Sequence, residues 1–93
     1  MAIFGYGRVS TSQQDTENQR LELEQAGWTF DFWFTDVVSG KVPAVQRKEF
    51  SEMLSKIRDG ETLVVAKLDR LGRDAIDVLQ TVRTLADRNI KVI

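Results

Sequence analysis

The chain has 93 residues, of which 42% are hydrophobic and 29% charged, proportions that suit one small folded domain and argue against disorder. It holds no cysteine and no histidine, which excludes disulfides, thiolate chemistry and the imidazole that most often serves as general base or metal ligand. Thirteen basic residues against fourteen acidic ones leave a net charge of −1, so any case for nucleic acid must rest on where the basic side chains sit. No apolar run approaches the roughly 20 residues of a membrane helix. No signal-peptide pattern is visible at the N-terminus, so the expected compartment is the cytoplasm.

Along the chain, strand and helix signals alternate. "AIFGYGRV" (residues 2–9) is a short apolar run of the buried-strand kind. Asp15 or Thr16 can cap a helix reaching about Ala26, with Gly27 as its stop. "WTFDFWFTD" (28–36), aromatic and β-branched, reads as a second strand. A polar loop follows over residues 37–46 and contains Ser39, Gly40 and the only proline, Pro43. Phe50, Met53, Leu54 and Ile57 repeat at i, i+3, i+4 and i+7, one face of a helix closed by Gly60. "TLVVAKL" (62–68) is the third strand, and Ala75, Val78, Leu79, Val82, Leu85 and Ala86 stripe a third helix stopping near Asn89. "IKVI" (90–93) starts a fourth strand. The alternation predicts an α/β domain of three layers, a mainly parallel sheet of about four strands with right-handed crossovers and helices on both faces. A last strand with no helix after it leads us to expect a fragment of a longer protein.

Period two puts Tyr6, Arg8 and Ser10 on one side of the first strand as far as it persists. Polar groups at the carboxyl ends of parallel strands converge on the ligand crevice. Ser10 ends the first strand, Asp36 ends the second, and Asp69 and Arg70 lie just past the third. In "KLDRLGR" (67–73), Arg70 and Arg73 are three apart and would share a face at a helix start. Guanidiniums match phosphate oxygens and keep their charge at working pH. With Arg8 and Arg47 added, several could surround one serine hydroxyl. Phosphoryl transfer needs positive groups aimed at the charge developing on the transferring oxygens, and arginines can take the place of a metal there. A serine attacking phosphorus in an arginine-lined crevice is the reading these residues support.

Each residue alone also has a structural explanation. A serine after a strand is ordinarily a turn or cap residue, and Tyr6 a core aromatic with a satisfied hydroxyl. Arg70 and Arg73 would form a solvated helix start, pairing with Asp69, Asp74 or Asp77. Asp36 would cap the loop after it, and Arg47 would sit on the exposed side of its helix. Those readings weaken together, because the residues meet at one sheet edge from distant parts of the chain.

"YGRVSTSQQDTENQ" (6–19), "FTDVVSGKVPAVQRKEFSEML" (34–54) and "VVAKLDRLGRD" (64–74) resemble, in order, the catalytic domain of the serine recombinases, the resolvase and invertase group. The resemblance covers nearly the whole chain. It implies a DNA strand-exchange enzyme needing no metal or nucleotide cofactor, acting on double-stranded recombination sites as a dimer that pairs into a synaptic tetramer. Ser10 would be the nucleophile, giving a 5′-phosphoserine link and a free 3′ hydroxyl. Arg8, Arg70 and Arg73 would bind the scissile phosphate, and Asp69 would hold the arginine group in place. Tyr6, Gln14, Gln19, Asp36 and Arg47 match positions of the active-site shell. Lys56 matches a basic position too, but nine residues past Arg47 on one helix is half a turn out of phase. Either Arg47 precedes the first turn, or Lys56 belongs to another surface. The family continues into a long dimerisation helix and a DNA-reading domain, which we expect this chain to lack. Two alternatives remain open: a carboxylate–metal nuclease or phosphatase using Asp36 and Asp69 as ligands, and a non-enzymatic regulatory or dimerisation module in which Ser10 is dispensable.

Overall fold

A computed structural model describes residues 2–9 and 13–93, with the side chains of residues 13–15 outside the described set. Its elements are β1 (Ile3–Val9), α1 (Gln13–Gln25), β2 (Phe32–Val37), α2 (Lys48–Lys56), β3 (Thr62–Val65), α3 (Ala75–Asp87) and β4 (Lys91–Val92). Short 3-10 turns at Ala44–Gln46 and Leu68–Leu71 lead into α2 and α3. The sheet is parallel throughout and ordered β2-β1-β3-β4. The chain thus steps one way from β1 to β2, then back across β1 to β3 and on to β4. Right-handed crossovers therefore put α1 on one face and α2 and α3 on the other, the three layers that strand–helix alternation predicts.

Most of the core lies on the α2–α3 face. Phe4 and Tyr6 of β1, Phe34 of β2 and Leu63 and Val65 of β3 meet Phe50 and Met53 of α2 and Leu85 of α3, all buried. Fully burying a side chain of this size stabilises the fold by about 1.5–3 kcal/mol. The other face explains the two glycines in β1. The Trp33 ring lies across them, and a Cβ built on Gly5 would sit 2.6 Å from Trp33 Cζ3 and 2.7 Å from Phe30 Cε1. The aromatic richness of β2 thus serves both faces: Phe32 and Phe34 stack on Phe4, while Trp33 covers the glycines.

Element ends differ from the sequence reading where distant groups set them. β2 begins at Phe32 rather than Trp28, because the carboxylate of Asp31 accepts the Ile3 amide at 2.7 Å and ties the preceding turn to the start of β1. α1 starts at Gln13, ahead of Asp15 and Thr16, and ends before Gly27, whose φ of 107° is left-handed. α2 stops at Lys56, not at Gly60, and Ile57 is already extended. Its last carbonyls are met by Arg88, which donates to Leu54 O at 3.0 Å and to Ile57 O at 2.7 Å.

Candidate active site

β1 and β2 pair with Tyr6 opposite Phe34 and Arg8 opposite Asp36, so Tyr6, Arg8 and Asp36 share the α2 face near the carboxyl edge. Asp36 is buried. Its Oδ2 accepts the Tyr6 hydroxyl at 2.7 Å and the Phe50 amide at 3.0 Å, and its Oδ1 accepts the Glu49 amide at 3.0 Å. The two amides belong to the first turn of α2, where a negative group satisfies orphan N–H donors and the helix dipole together. The residue at the cap position itself, Arg47, makes no side-chain cap bond. Asp36 therefore caps α2 from a neighbouring strand.

Arg47 is 1% exposed, which rules out the alternative of a solvated helix position. Its φ of −78° and ψ of 131° put it before the first turn of α2, so its phase relative to Lys56 no longer constrains it. The Nε donates to Val42 O at 3.0 Å and Nη1 to Arg70 O at 2.6 Å, with the Tyr6 hydroxyl 3.5 Å away. Arg8 donates from Nη1 to Val38 O at 3.0 Å. One buried nitrogen on each of three guanidiniums, Arg8 Nε, Arg47 Nη2 and Arg70 Nε, has no partner among the described residues.

These guanidiniums feel one another. Burial lowers the pKa of Arg8 from its ordinary value, and the like charges of Arg47 and Arg70 push the same way. Among the described residues the only ion pair to any of the three is Asp69 to Arg70, at 3.6 Å with the carboxylate 70% exposed, which makes it a weak, screened pair. Burial also drives the Tyr6 phenol well above its usual range; its bond to Arg47 opposes the rise and the bond and charge of Asp36 add to it. Tyr6 is thus a fixed hydroxyl donor and not a base. An undercompensated, partly dehydrated cluster of cations has unused N–H donors for an anion, and phosphate oxygens suit it in charge and in fork geometry.

The structure gathers Tyr6, Arg8, Asp36, Arg47 and Arg70, with Asp69 beside Arg70; Arg73 and Lys56 stand apart from that group. Ser10 lies outside the described residues, as does the side chain of Gln14. Gln19 of α1 donates to Arg8 O at 3.1 Å, supporting the exit of β1 from the opposite face. Arg70 and Arg73 do not share a helical face: Arg70 lies in the 3-10 turn that ends at Leu71, Gly72 is extended (φ −173°), and α3 begins at Ala75. Arg73 is half exposed and pairs with Asp74 at 3.6 Å. Lys56 lies at the far end of α2, about 13 Å along the axis from Arg47, with its Nζ 5.8 Å from the Phe34 ring centre. Sequence reasoning treated Asp77 only as a surface partner for the arginines. In the fold its Oδ2 accepts the Arg73 amide at 2.9 Å and the Ala44 amide at 3.2 Å, and no local pattern reports the second contact, 33 residues away. Asp36, occupied by three donors, is poorly suited as a metal ligand, and no cluster of three potential ligands forms among the described residues.

A parallel α/β domain that collects guanidiniums at the carboxyl edge of its sheet has the charge and fork geometry that suit a phosphate. Residues 3–93 match the family described as "Resolvase, N terminal domain", and the chain belongs to that family. It is similar to the transposon Tn2501 resolvase of Escherichia coli, 45% identical over 92 residues that cover 97% of this chain and 47% of that protein. The serine recombinase PinR of Escherichia coli strain K12 is 40% identical over the same shares of the two chains. Among solved structures, a serine recombinase from Sulfolobus solfataricus is similar with a TM-score of 0.74 and 27% identity, covering 99% of this chain and 68% of that one. The chain spans about half the length of the curated relatives it matches.

Proposed function

We propose that this chain is the catalytic portion of a site-specific DNA recombinase that cuts and rejoins double-stranded DNA through a serine nucleophile. The observation that carries the reading is the cluster of Arg8, Arg47 and Arg70 with three buried N–H groups that have no partner among the described residues, in a chain of the resolvase family. Ser10 Oγ attacks phosphorus and releases its proton, the Oγ–P bond forms and the P–O3′ bond breaks, and the O3′ leaves as a hydroxyl after taking up one proton, so that no net proton is gained or lost. The product is a 5′-phosphoserine ester, and attack by a 3′ hydroxyl from another strand reverses the step and seals the new junction. Arg8 and Arg70, with Arg73 from the adjoining segment, stabilise the charge on the transferring oxygens. Asp69 steadies Arg70. Asp36 fixes the Tyr6 hydroxyl, which stands 3.5 Å from Arg47 Nη1, and Arg47 in turn holds the Arg70 carbonyl. The double-stranded substrate implies work in the cytoplasm, and exchange of four strands implies self-association into dimers and a synaptic tetramer. No helix among the described residues is long and apolar enough to cross a membrane.

The test is a chimera joining residues 1–93 to the remaining part of the Tn2501 resolvase, mixed with DNA from that transposon in excess chelator. A protein–DNA adduct that survives boiling in detergent is expected, and Ser10→Ala should abolish it. Cleavage that needs added magnesium, or an adduct in the Ser10→Ala protein, would reject the serine mechanism.

A further inference from the structure

The segments carrying Arg47 and Arg70–Arg73 are joined twice. One link is the Arg47 guanidinium on the Arg70 carbonyl, at 2.6 Å. The other is the Asp77 carboxylate. A single oxygen, Oδ2, accepts the amide of Arg73 at 2.9 Å and the amide of Ala44 at 3.2 Å. Ala44 opens the 3-10 turn that leads directly into Arg47, whose own amide donates to Ala44 O at 3.0 Å. Capping of α3 is already supplied by Asp74, which accepts the Asp77 amide at 2.8 Å. A carboxylate needed only for the helix dipole has no call for amides outside the helix, yet Asp77 takes two of them, from two segments. The backbone is pressed onto it: a Cβ on Gly72 would lie 2.6 Å from Val78 N and 2.9 Å from Asp77 Oδ2.

We propose that Asp77 is a positioning residue, which fixes the backbone of Arg73 against the turn that presents Arg47 and so sets the spacing of the arginines around one phosphate. This deepens the phosphodiester reading above and rests on it. Asp77 touches no reacting atom; it acts through the arginines. Arg73 is half exposed, so the reach of its guanidinium is set by its anchored backbone and not by packing.

The test uses the 93-residue chain labelled with 15N and titrated with diethyl phosphate, a phosphodiester without base or sugar, following the Nε–H signals of Arg8, Arg70 and Arg73 and the amide of Arg73. In the unaltered chain all three side-chain signals should move. In Asp77→Ala the Arg73 amide should exchange with solvent at least tenfold faster, and the Arg73 side chain should stop responding while Arg8 still does. Asp77→Asn keeps an oxygen that accepts both amides but loses the charge, and should restore the Arg73 response. Gly72→Ala, which displaces the same backbone with the carboxylate intact, should lose it, and it decides the matter should Asp77→Ala fail to fold. An unchanged Arg73 response in Asp77→Ala, or in a folded Gly72→Ala, would overturn the proposal, as would an Asn variant as unresponsive as Ala. If no arginine of the unaltered chain moves, the phosphodiester reading itself falls and takes this one with it, a result visible before any substitution is made.

Discussion

Replacing Asp36 by alanine removes one small carboxylate and three hydrogen bonds at once, those from the Tyr6 hydroxyl and the Glu49 and Phe50 amides. Losing the cap on α2 costs about 1 kcal/mol and up to about 2. Leaving the buried Tyr6 hydroxyl unpaired adds about 1–3 kcal/mol. The sum, roughly 2–5 kcal/mol, is a large part of the roughly 5–14 kcal/mol expected for a domain of this size. Tyr6→Phe alone should cost about 1.5–3 kcal/mol, because the bond it removes runs to a charged oxygen. Made on top of Asp36→Ala, the same change should cost nearly nothing, since it then removes an orphaned hydroxyl. The coupling between the two sites should therefore reach about 1.5–3 kcal/mol. Urea unfolding followed by tryptophan fluorescence measures all four proteins. An Asp36→Ala cost below about 1 kcal/mol, or equal Tyr6→Phe costs in both backgrounds, would refute the capping account.

Phosphate should raise the melting temperature more than chloride at equal ionic strength, because the guanidinium N–H groups of Arg8, Arg47 and Arg70 that lack a partner among the described residues bind it in the folded state only. Stabilisation of about 1.4 kcal/mol is expected at ten times its dissociation constant, a shift of several degrees by calorimetry; equal effects of the two anions would contradict this. Glu61 accepts the amides of Ala2 at 2.9 Å and Arg58 at 2.7 Å, and these two bonds, Ala2 first, hold its pKa below the ordinary value. A depressed carboxylate stabilises above its unfolded pKa and loses that contribution as pH falls through the folded one, so Glu61→Gln should flatten the acid arm of the stability–pH curve in a thermal-shift series. The 93-residue chain by itself should unfold cooperatively yet exchange no DNA strands at physiological salt. With a net charge of −1 its DNA affinity should be weak and fall steeply with salt, and recombinant product on a gel would count against that.

The strand–helix order and the convergence of Tyr6, Arg8, Asp36 and Arg70 were legible in the sequence because both follow from local periodicity and from the geometry of parallel sheets. Arg47 was half legible. Its residue type marked it for the site, but arginine is read by default as surface, and only the carbonyls of Val42, five residues away, and Arg70, 23 residues away, satisfy it in the interior. The shared face expected of Arg70 and Arg73 failed at Gly72, whose extended backbone breaks the helical phase between them. The cap on α2 and the stop at Lys56 were hidden for one reason: Asp36 and Arg88, which supply them, stand in other elements. Local pattern reports what a residue prefers, and these roles are decided by what the fold brings beside it.

The central claim is that Ser10 carries the covalent step. The most direct measurement is tandem mass spectrometry of the adduct formed by the chimera on transposon DNA, after digestion of protein and nucleic acid. The account predicts a nucleotide joined through its 5′ phosphate to the peptide that contains Ser10, with a free 3′ hydroxyl on the other broken end. A phosphate joined to another side chain, or broken ends that carry no protein at all, would contradict it.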